Sequence, residues 1–316
     1  MLRACMNMIC EMAKTNPNVV LICCDHGPGV ELRGVIPGRY FVEAVSEANI
    51  VGMATGLASD GYIPYILNHA TFNTRRCYEQ IALDACLQNR PIRLIGMGAG
   101  LSTAHLGPTH TAIEDVAIMR AIPNMAVIAP CDADEVNRLM PLTLDWPGSI
   151  YIRMAKYGKP IVSKAEAGFE IGKAILMREG DILIITNGAM TNRALSAAEL
   201  LSARGIECAV LHVHTVKPLD ESIAGQIKKA RMAIIIEEHT LVGGLGSACM
   251  ELLTDKFALV NIPPVYRMGL PDAFVHEYGD QDSLLEKYGL QPHQLAEKIF
   301  SLVSKGKSLE TVLEAN

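Results

Sequence analysis

The sequence predicts an α/β fold built from two doubly wound domains with mainly parallel sheets. Short runs of aliphatic and β-branched residues alternate with longer segments of helical periodicity along most of the chain, which is the order of strands and crossover helices in a parallel sheet. Half of the 316 residues are hydrophobic and only 5% are aromatic. Most strands should therefore be aliphatic and buried on both faces.

The first domain is predicted over residues 1–160. It opens with an amphipathic helix in the segment MLRACMNMICEMAK and then alternates strands with helices. Its strands are expected at 19–24, 63–67, 92–97, 125–130 and 149–154, and its helices at about 46–58, 74–88, 112–121 and 132–144.

The second domain is predicted over residues 169–316, after a polar stretch that contains Gly and Lys, AKYGKPIVSKAEAG. The same alternation resumes there. Its strands are expected at 181–188, 207–213 and 232–238, and its helices at 191–203, 220–230 and from about 246.

Composition excludes several classes of function. The net charge of −6, with acids and bases interspersed, provides no basic surface for nucleic acid. No apolar run is long enough to span a membrane, and the N-terminal segment lacks the features of a signal peptide, so a cytoplasmic location is expected. The nine cysteines form no CxxC pair and are expected to be reduced core thiols.

Two patterns superficially suggest ligand sites. GGLG at 243–246 fits neither a dinucleotide fingerprint nor a P-loop, and a tight turn is the better interpretation. His212 and His214 lie two apart on an expected strand, but no third ligand is near in sequence, so structural roles are favoured. No metal site is predicted in this chain.

Glu47 is the first candidate for chemistry. It lies in the first turn of an expected helix whose later positions, ANIVGMATGLA, are almost wholly apolar. A carboxylate there either complements the helix dipole or is buried for a chemical role. Glu47 alone does not distinguish these alternatives.

Longer motifs give a family resemblance. RYFVEAVSEANIVGMATGLA at 39–58, HATFNTRRCYEQIALD at 69–84, GPTH with RAIPNM within 107–135, and EEHTLVGGLGSA at 237–248 resemble the transketolase family and cover nearly the whole chain. The chain is similar to a split transketolase C-terminal subunit and to the C-terminal two-thirds of 1-deoxy-D-xylulose-5-phosphate synthase. The resemblance implies a pyrimidine-binding domain for thiamine diphosphate (ThDP), followed by a transketolase C-terminal domain.

The resemblance implies ThDP as cofactor and assigns three residues to it. Glu47 matches the glutamate that hydrogen-bonds the N1′ atom of the aminopyrimidine and promotes proton loss from C2. Burial should raise the pKa of this carboxyl group. Phe72 matches the aromatic residue that stacks on the pyrimidine, although core packing would also explain it, and His69 occupies another position that is commonly aromatic.

The resemblance also implies substrate contacts. His110, inside GPTH, matches a histidine beside the donor carbonyl oxygen, where it would be catalytic as well as substrate-binding. Arg153 matches an arginine that binds the terminal anion of the sugar, although a surface ion pair is the alternative. Arg75 matches an arginine of the synthase branch, and His105 stands beside a substrate position.

The sequence also departs from the family pattern. Leu106 replaces an aspartate that contacts a donor hydroxyl, and Gly98 replaces a histidine or arginine that helps to bind the sugar phosphate. The Gly-Asp-Gly motif that holds the diphosphate through Mg²⁺ is absent, since GDI at 180–182 and GDQ at 279–281 lack the second glycine. We therefore expect a separate subunit to hold the diphosphate and Mg²⁺, in a heterotetramer.

The predicted function is transfer of a two-carbon ketol unit between phosphorylated or otherwise anionic sugars in carbohydrate metabolism. An alternative is a beta-type subunit of a decarboxylating synthase or dehydrogenase that starts from a 2-oxo acid. A third is a regulatory or scaffold relative without catalysis. The joint presence of Glu47, Phe72 and His110 argues against the third.

Overall fold

The computed structural model describes residues 1–24, 32–155 and 160–314, and it confirms two mainly parallel sheets with alternating helices. The expected linker over 155–168 lies partly outside the described residues, at 156–159. The strands are β1 (Val19–Cys24), β2 (Tyr40–Glu43), β3 (Ile63–His69), β4 (Arg93–Met97), β5 (Met125–Ile128), β6 (Ser149–Met154), β7 (Ile175–Arg178), β8 (Ile182–Thr186), β9 (Cys208–His212), β10 (Thr215–Lys217), β11 (Met232–Thr240) and β12 (Val265–Leu270).

Helices cover both sheets. They are α1 (Leu2–Thr15), α2 (Leu32–Val35), α3 (Glu47–Ser59), α4 (Tyr78–Gln80), α5 (Asp115–Ala121), α6 (Ala133–Leu142), α7 (Met190–Ser202), α8 (Ser222–Lys229), α9 (Leu245–Phe257), α10 (Gln281–Lys287) and α11 (Pro292–Glu314). None of the helices that the structure describes is long and apolar enough to cross a membrane.

The first sheet has seven strands in the order β10-β5-β6-β4-β3-β1-β2, and all neighbours are parallel except β10 and β5. From β1 the chain passes to β2 on one side and then to β3 on the other. The strand order therefore reverses at β1, and such a reversal opens a crevice at the carboxyl ends of the strands. Glu47, at the start of α3, lies on the connection between β2 and β3.

The second sheet has five strands in the order β12-β11-β8-β9-β7, and only β7 is antiparallel to its neighbour. The central strand β8 is buried along its length, like β1 and β6 of the first sheet. Continuous burial is the reason that these strands read as apolar runs without alternation.

The helix expected at 74–88 begins later than predicted. Residues 70–77 form turns, α4 begins at Tyr78, and it continues as a wider π-helical segment, Ile81–Leu87. The side chain of Asn73 donates hydrogen bonds to the carbonyls of Ile66 and Ile95. Short polar side chains that bind the backbone in this way compete with helix formation.

The sequence did not predict β10. This short strand lies within the second half of the chain, but it pairs antiparallel with β5 and so completes the first sheet.

The first α-helix was predicted, and it buries Cys5, Met6, Ile9, Met12 and Ala13 along one face. Of the nine cysteines, Cys10 is partly buried and the other eight are buried, and none is in a disulfide.

Candidate active site

Glu47 is buried at the first position of α3, with 2% of its surface exposed. Its Oε1 accepts a hydrogen bond from the Asn68 side chain at 2.9 Å. Arg76 donates from Nη1 to both carboxylate oxygens, at 3.1 and 3.0 Å. The helix start thus places a desolvated carboxylate within reach of one amide and one cation.

The pKa of Glu47 departs from the sequence-based expectation. Burial acts to raise it, but hydrogen bonds from its own backbone, Arg76 and Asn68 outweigh burial, so the pKa lies below its ordinary value. The expectation of a raised pKa is wrong for this arrangement, because the sequence did not show that a cation would contact the carboxylate. Glu47 is ionised at neutral pH as long as Arg76 stays in place.

Three predicted residues form one aromatic group. Phe72 lies in the turns after β3, with its ring centroid 5.9 Å from that of His69 and 5.0 Å from that of His110. The two histidine rings are 5.2 Å apart. His110 Nδ1 also lies 2.9 Å from the Thr109 hydroxyl. Residues from two separate motifs therefore meet at the carboxyl ends of β3 and β4, as the family resemblance implies.

A compact loop after β4 holds His110. The backbones of Gly100 and Ala112 exchange two hydrogen bonds, which close the loop at its base. Within it, the Thr103 hydroxyl lies 2.7 Å from the carbonyl oxygen of His110, to which it donates, and 3.1 Å from that of Gly98. The backbone that carries the imidazole is therefore fixed on both sides.

The second half of the chain holds the base of this loop. Glu238, buried at the end of β11, accepts a hydrogen bond from the Leu101 backbone at 2.6 Å and two from the Gln281 side chain. Gly100 has a φ of +64°, and a Cβ on it would lie 2.5 Å from the Glu238 carboxyl carbon. Only glycine fits this approach. Glu238 was not among the predicted site residues, although two adjacent acids at the end of a buried strand are a visible signal in the sequence.

Arg153 does not have the position expected of a substrate ligand. It is 7% exposed, and its Nε lies 2.9 Å from Asp115 Oδ2, while Nη2 donates to the carbonyls of Ala112 and Glu238. Tyr151 donates to the same carboxylate at 2.7 Å. These contacts favour a structural role, and the substrate role of Arg153 is not supported by this arrangement.

Removing the carboxylate of this buried pair should destabilise the fold. We expect Asp115→Ala to lower the free energy of unfolding by about 3–5 kcal/mol, because it removes the carboxylate to which the buried side chains of Arg153 and Tyr151 donate hydrogen bonds. Urea denaturation followed by circular dichroism measures this. Arg75→Gln is the control, since it breaks a partly exposed pair with Glu114 and should cost about 0–1 kcal/mol. Equal, small effects of the two substitutions would contradict the internal pairing.

The remaining predicted substrate residues lie on the exposed side. Arg75 Nε contacts Glu114 at 3.0 Å, and His105 is exposed in the single turn Ala104–Leu106. Leu106 is 40% exposed. Gly98 leaves no open space where the family pattern has a larger residue: its φ is +70°, and a Cβ on it would lie 2.6 Å from the Thr103 methyl group.

His212 does meet possible metal ligands, which come from the first half of the chain. Its Nε2 lies 2.8 Å from Glu135 Oε2, and the Cys131 thiol completes a buried group. Cys131 also donates its backbone N–H to the same carboxylate oxygen. Burial strongly raises the pKa of the Cys131 thiol. The Glu135 carboxylate is already hydrogen-bonded to His212 and to the Cys131 backbone, which favours the structural role predicted for His212.

The GGLG turn leads directly into α9. Glu237 accepts hydrogen bonds from the backbone N–H groups of Leu245 and Gly246, at 2.8 and 3.0 Å. Burial raises the pKa of Glu237 to about 7. The helix start thus receives a carboxylate from the protein itself, which agrees with a turn and not with a phosphate loop.

Comparisons with known proteins identify the family of both halves of the chain. Residues 1–157 match the transketolase pyrimidine binding domain, and residues 172–295 match the transketolase C-terminal domain. A transketolase family protein of Sinorhizobium fredii is 36% identical over 91% of this chain and 84% of its own length. A 6-deoxy-6-sulfo-D-fructose transketolase subunit of Clostridium sp. is 37% identical over 82% of this chain and 80% of its own length.

Longer proteins are matched over part of their length. The 1-deoxy-D-xylulose-5-phosphate synthase of Caldanaerobacter subterraneus is 35% identical over 92% of this chain, which spans 47% of the synthase. Among solved structures, a split gene transketolase described as an inactive beta4 tetramer superposes with a TM-score of 0.82 at 30% identity, covering 95% of this chain and 96% of that one. The transketolase of Campylobacter jejuni shares the fold, with a TM-score of 0.75 at 18% identity over 94% of this chain and 46% of its own.

Proposed function

Because this chain belongs to the transketolase family, we propose that it is the pyrimidine-binding and C-terminal subunit of a ThDP-dependent transketolase. The enzyme transfers a two-carbon ketol unit from a ketose to an aldose. The observation that carries this proposal is a cluster at the carboxyl ends of the first sheet, in which the rings of Phe72 and His110 lie 5.0 Å apart and Arg76 links Phe72 to the buried Glu47.

The contacts that Arg76 makes in this structure support the view that Glu47 and Phe72 can together bind a flat group of the kind found in the cofactor. The guanidinium of Arg76 hydrogen-bonds Glu47, and its central carbon lies 4.1 Å from the centroid of the Phe72 ring. A flat nitrogen-containing group can therefore face Phe72 and donate a hydrogen bond to Glu47 at the same time. The aminopyrimidine of ThDP, protonated at N1′, has that shape and that hydrogen-bonding capacity.

Each residue then has a defined task. When bound, ThDP supplies the nucleophilic carbon that adds to the carbonyl group of the ketose. Glu47 would share a proton with N1′, and Phe72 and His69 would lie against the pyrimidine ring. His110 would donate a hydrogen bond to the carbonyl oxygen of the ketose, where negative charge develops when that carbonyl group is attacked. Arg75 and His105 remain candidates for contacts with the anionic part of the sugar.

The diphosphate and Mg²⁺ are assigned mainly to a separate subunit, in a heterotetramer with two copies of each chain. Two observations support this assignment. The sequence contains only the incomplete motifs GDI and GDQ, both in its second half. The fold also covers 96% of a split gene transketolase chain whose beta4 tetramer is described as inactive.

The similarity to 1-deoxy-D-xylulose-5-phosphate synthases supports a second candidate, a subunit that starts from a 2-oxo acid. Donor profiling separates the two functions. The reconstituted complex should use a ketose donor with an aldose acceptor and should release no CO₂ from pyruvate. Release of CO₂ from pyruvate, with no ketol transfer, would favour the synthase.

The substrate should differ from a common pentose phosphate. Leu106 cannot accept a hydrogen bond from a donor hydroxyl, and Gly98 provides no side chain for a terminal anion. An unpaired hydroxyl costs about 1–3 kcal/mol when it is buried, so discrimination at that carbon should be weak unless His105 replaces the contact. Similarity to a 6-deoxy-6-sulfo-D-fructose transketolase subunit makes sulfonated ketoses one class to test.

We expect kcat/KM for a sulfonated or otherwise modified ketose to exceed that for xylulose 5-phosphate, and epimers at the affected carbon to react at similar rates. A panel of ketose donors, assayed with one aldose acceptor, measures both quantities. Strict stereochemistry with xylulose 5-phosphate as the best donor would show that the two sequence departures have no effect on substrate choice.

A further inference from the structure

Arg76 lies between the two residues that the proposed function assigns to the pyrimidine ring. It donates to both oxygens of Glu47, and its guanidinium is 4.1 Å from the centroid of Phe72. The Arg76 side chain is 44% exposed, whereas Glu47 is 2% exposed. A partly exposed cation therefore neutralises a buried carboxylate.

These two contacts correspond to those expected of the cofactor. A guanidinium is flat, stacks on aromatic rings and donates hydrogen bonds in its own plane. A pyrimidine protonated at N1′ is also flat, stacks on an aromatic ring and donates one hydrogen bond to a carboxylate. Phe72 and Glu47 cannot make both sets of contacts at once, because Arg76 already faces the ring and both carboxylate oxygens.

We propose that Arg76 is a placeholder for the aminopyrimidine ring, a function that rests on the proposed role of Glu47. Arg76 holds Glu47 ionised and in position until ThDP arrives, and binding is an exchange in which the guanidinium leaves Phe72 and Glu47 as the pyrimidine enters. Arg76 is then a positioning residue with no part in the chemical step.

The exchange accounts for the charge state of the site. While Arg76 is in contact, the cationic guanidinium stabilises the ionised form of the Glu47 carboxyl group. Once Arg76 leaves, the buried carboxylate and N1′ together retain one proton, which comes from solvent. Before the exchange, Arg76 thus compensates the buried charge of Glu47. Because Arg76 must be displaced, the affinity for the cofactor is reduced by the free energy of that displacement.

Substitution of Arg76 tests the exchange without relying on turnover. In Arg76→Met, the pKa of the Glu47 carboxyl, followed by ¹³C NMR of the full chain, should rise above that of the wild type, because burial would remain and the cation would be gone. ThDP binding to the complex with the diphosphate-binding subunit, measured by calorimetry, should tighten about 5-fold to 30-fold, as expected for the loss of one competing stacked ion pair.

Two further variants sharpen the test. Arg76→Lys keeps the charge but cannot stack and bridge as a planar fork, so its affinity for ThDP should lie between those of the wild type and Arg76→Met. Arg178→Met is the matched control: it removes an arginine that pairs with Glu207 and not with Glu47, and it should change neither the Glu47 pKa nor ThDP affinity.

Weaker ThDP binding in Arg76→Met would overturn the proposal, because it would make Arg76 a cofactor contact. An unchanged Glu47 pKa would overturn it as well. Either result is compatible with a catalytic Glu47, so the inference can fail while the proposed function stands. Failure of the proposed function has a separate signature, which is full turnover in a variant that lacks the Glu47 carboxyl group.

Discussion

Glu47→Gln should reduce turnover of the reconstituted complex by about 10²-fold or more, the contribution of a positioned acid–base group. The amide has the size of the carboxyl group and can still accept a hydrogen bond from Asn68, so fold and assembly should be retained. It cannot share a proton with N1′. Steady-state ketol transfer at saturating ThDP is the measurement.

A matched control separates this role from a helix-dipole effect. Glu79 also lies in the first turn of a helix but is exposed. Glu79→Gln should therefore retain nearly full activity, because only the helix-dipole contribution changes. If Glu47→Gln also worked at wild-type rates, Glu47 would be a residue of the same kind as Glu79, and the proposed function would be wrong.

The full chain mixed with ThDP and Mg²⁺ alone should show no ketol transfer, and activity should appear when the diphosphate-binding subunit is added. The proposed site supplies contacts for the pyrimidine, but the sequence provides no complete Gly-Asp-Gly motif for the diphosphate. Activity titrated against the second subunit should reach a plateau at equal amounts of the two chains. Light scattering of the mixture should give the mass of two copies of each.

Glu47→Gln serves as a control in the same titration. It should bind the second subunit and form the same assembly without turnover, which would show that the lost activity is not lost association. Robust ketol transfer by the purified single chain would refute dependence on a partner. The identity of Glu47 as the pyrimidine residue would not be affected by that result.

The sequence predicted the strands best where burial is continuous. The run at 19–24 became β1 and the run at 149–154 became β6 without change, because parallel strands covered on both faces leave an unbroken apolar signal. The strand Tyr40–Glu43 was missed, since its residues are only partly buried and its pattern is short. Local hydrophobicity therefore predicted the interior strands of the sheet better than its edge strands.

The candidate site was predictable as a set of motifs and less so as a set of contacts. His110 and Phe72 meet as the resemblance implied, although 37 intervening positions in the sequence separate them. Two contacts depend on the rotamers that long arginine side chains adopt in the fold. They are the ion pair of Arg76 with Glu47 and that of Arg153 with Asp115. Sequence spacing carries no information on that choice, which is why the expected roles of Arg153 and the expected pKa of Glu47 were not supported.

The pairing of β10 with β5 has a consequence for folding during synthesis of the chain. As the chain leaves the ribosome, the edge of β5 has no neighbour on its outer side until Thr215–Lys217 has been synthesised. Residues Met125–Ile128 of β5 are buried and apolar, and an open apolar edge invites pairing with other chains. A nascent chain or a fragment that ends between the two halves should therefore be prone to aggregation. In the complete chain, β10 of the second half covers this edge of β5.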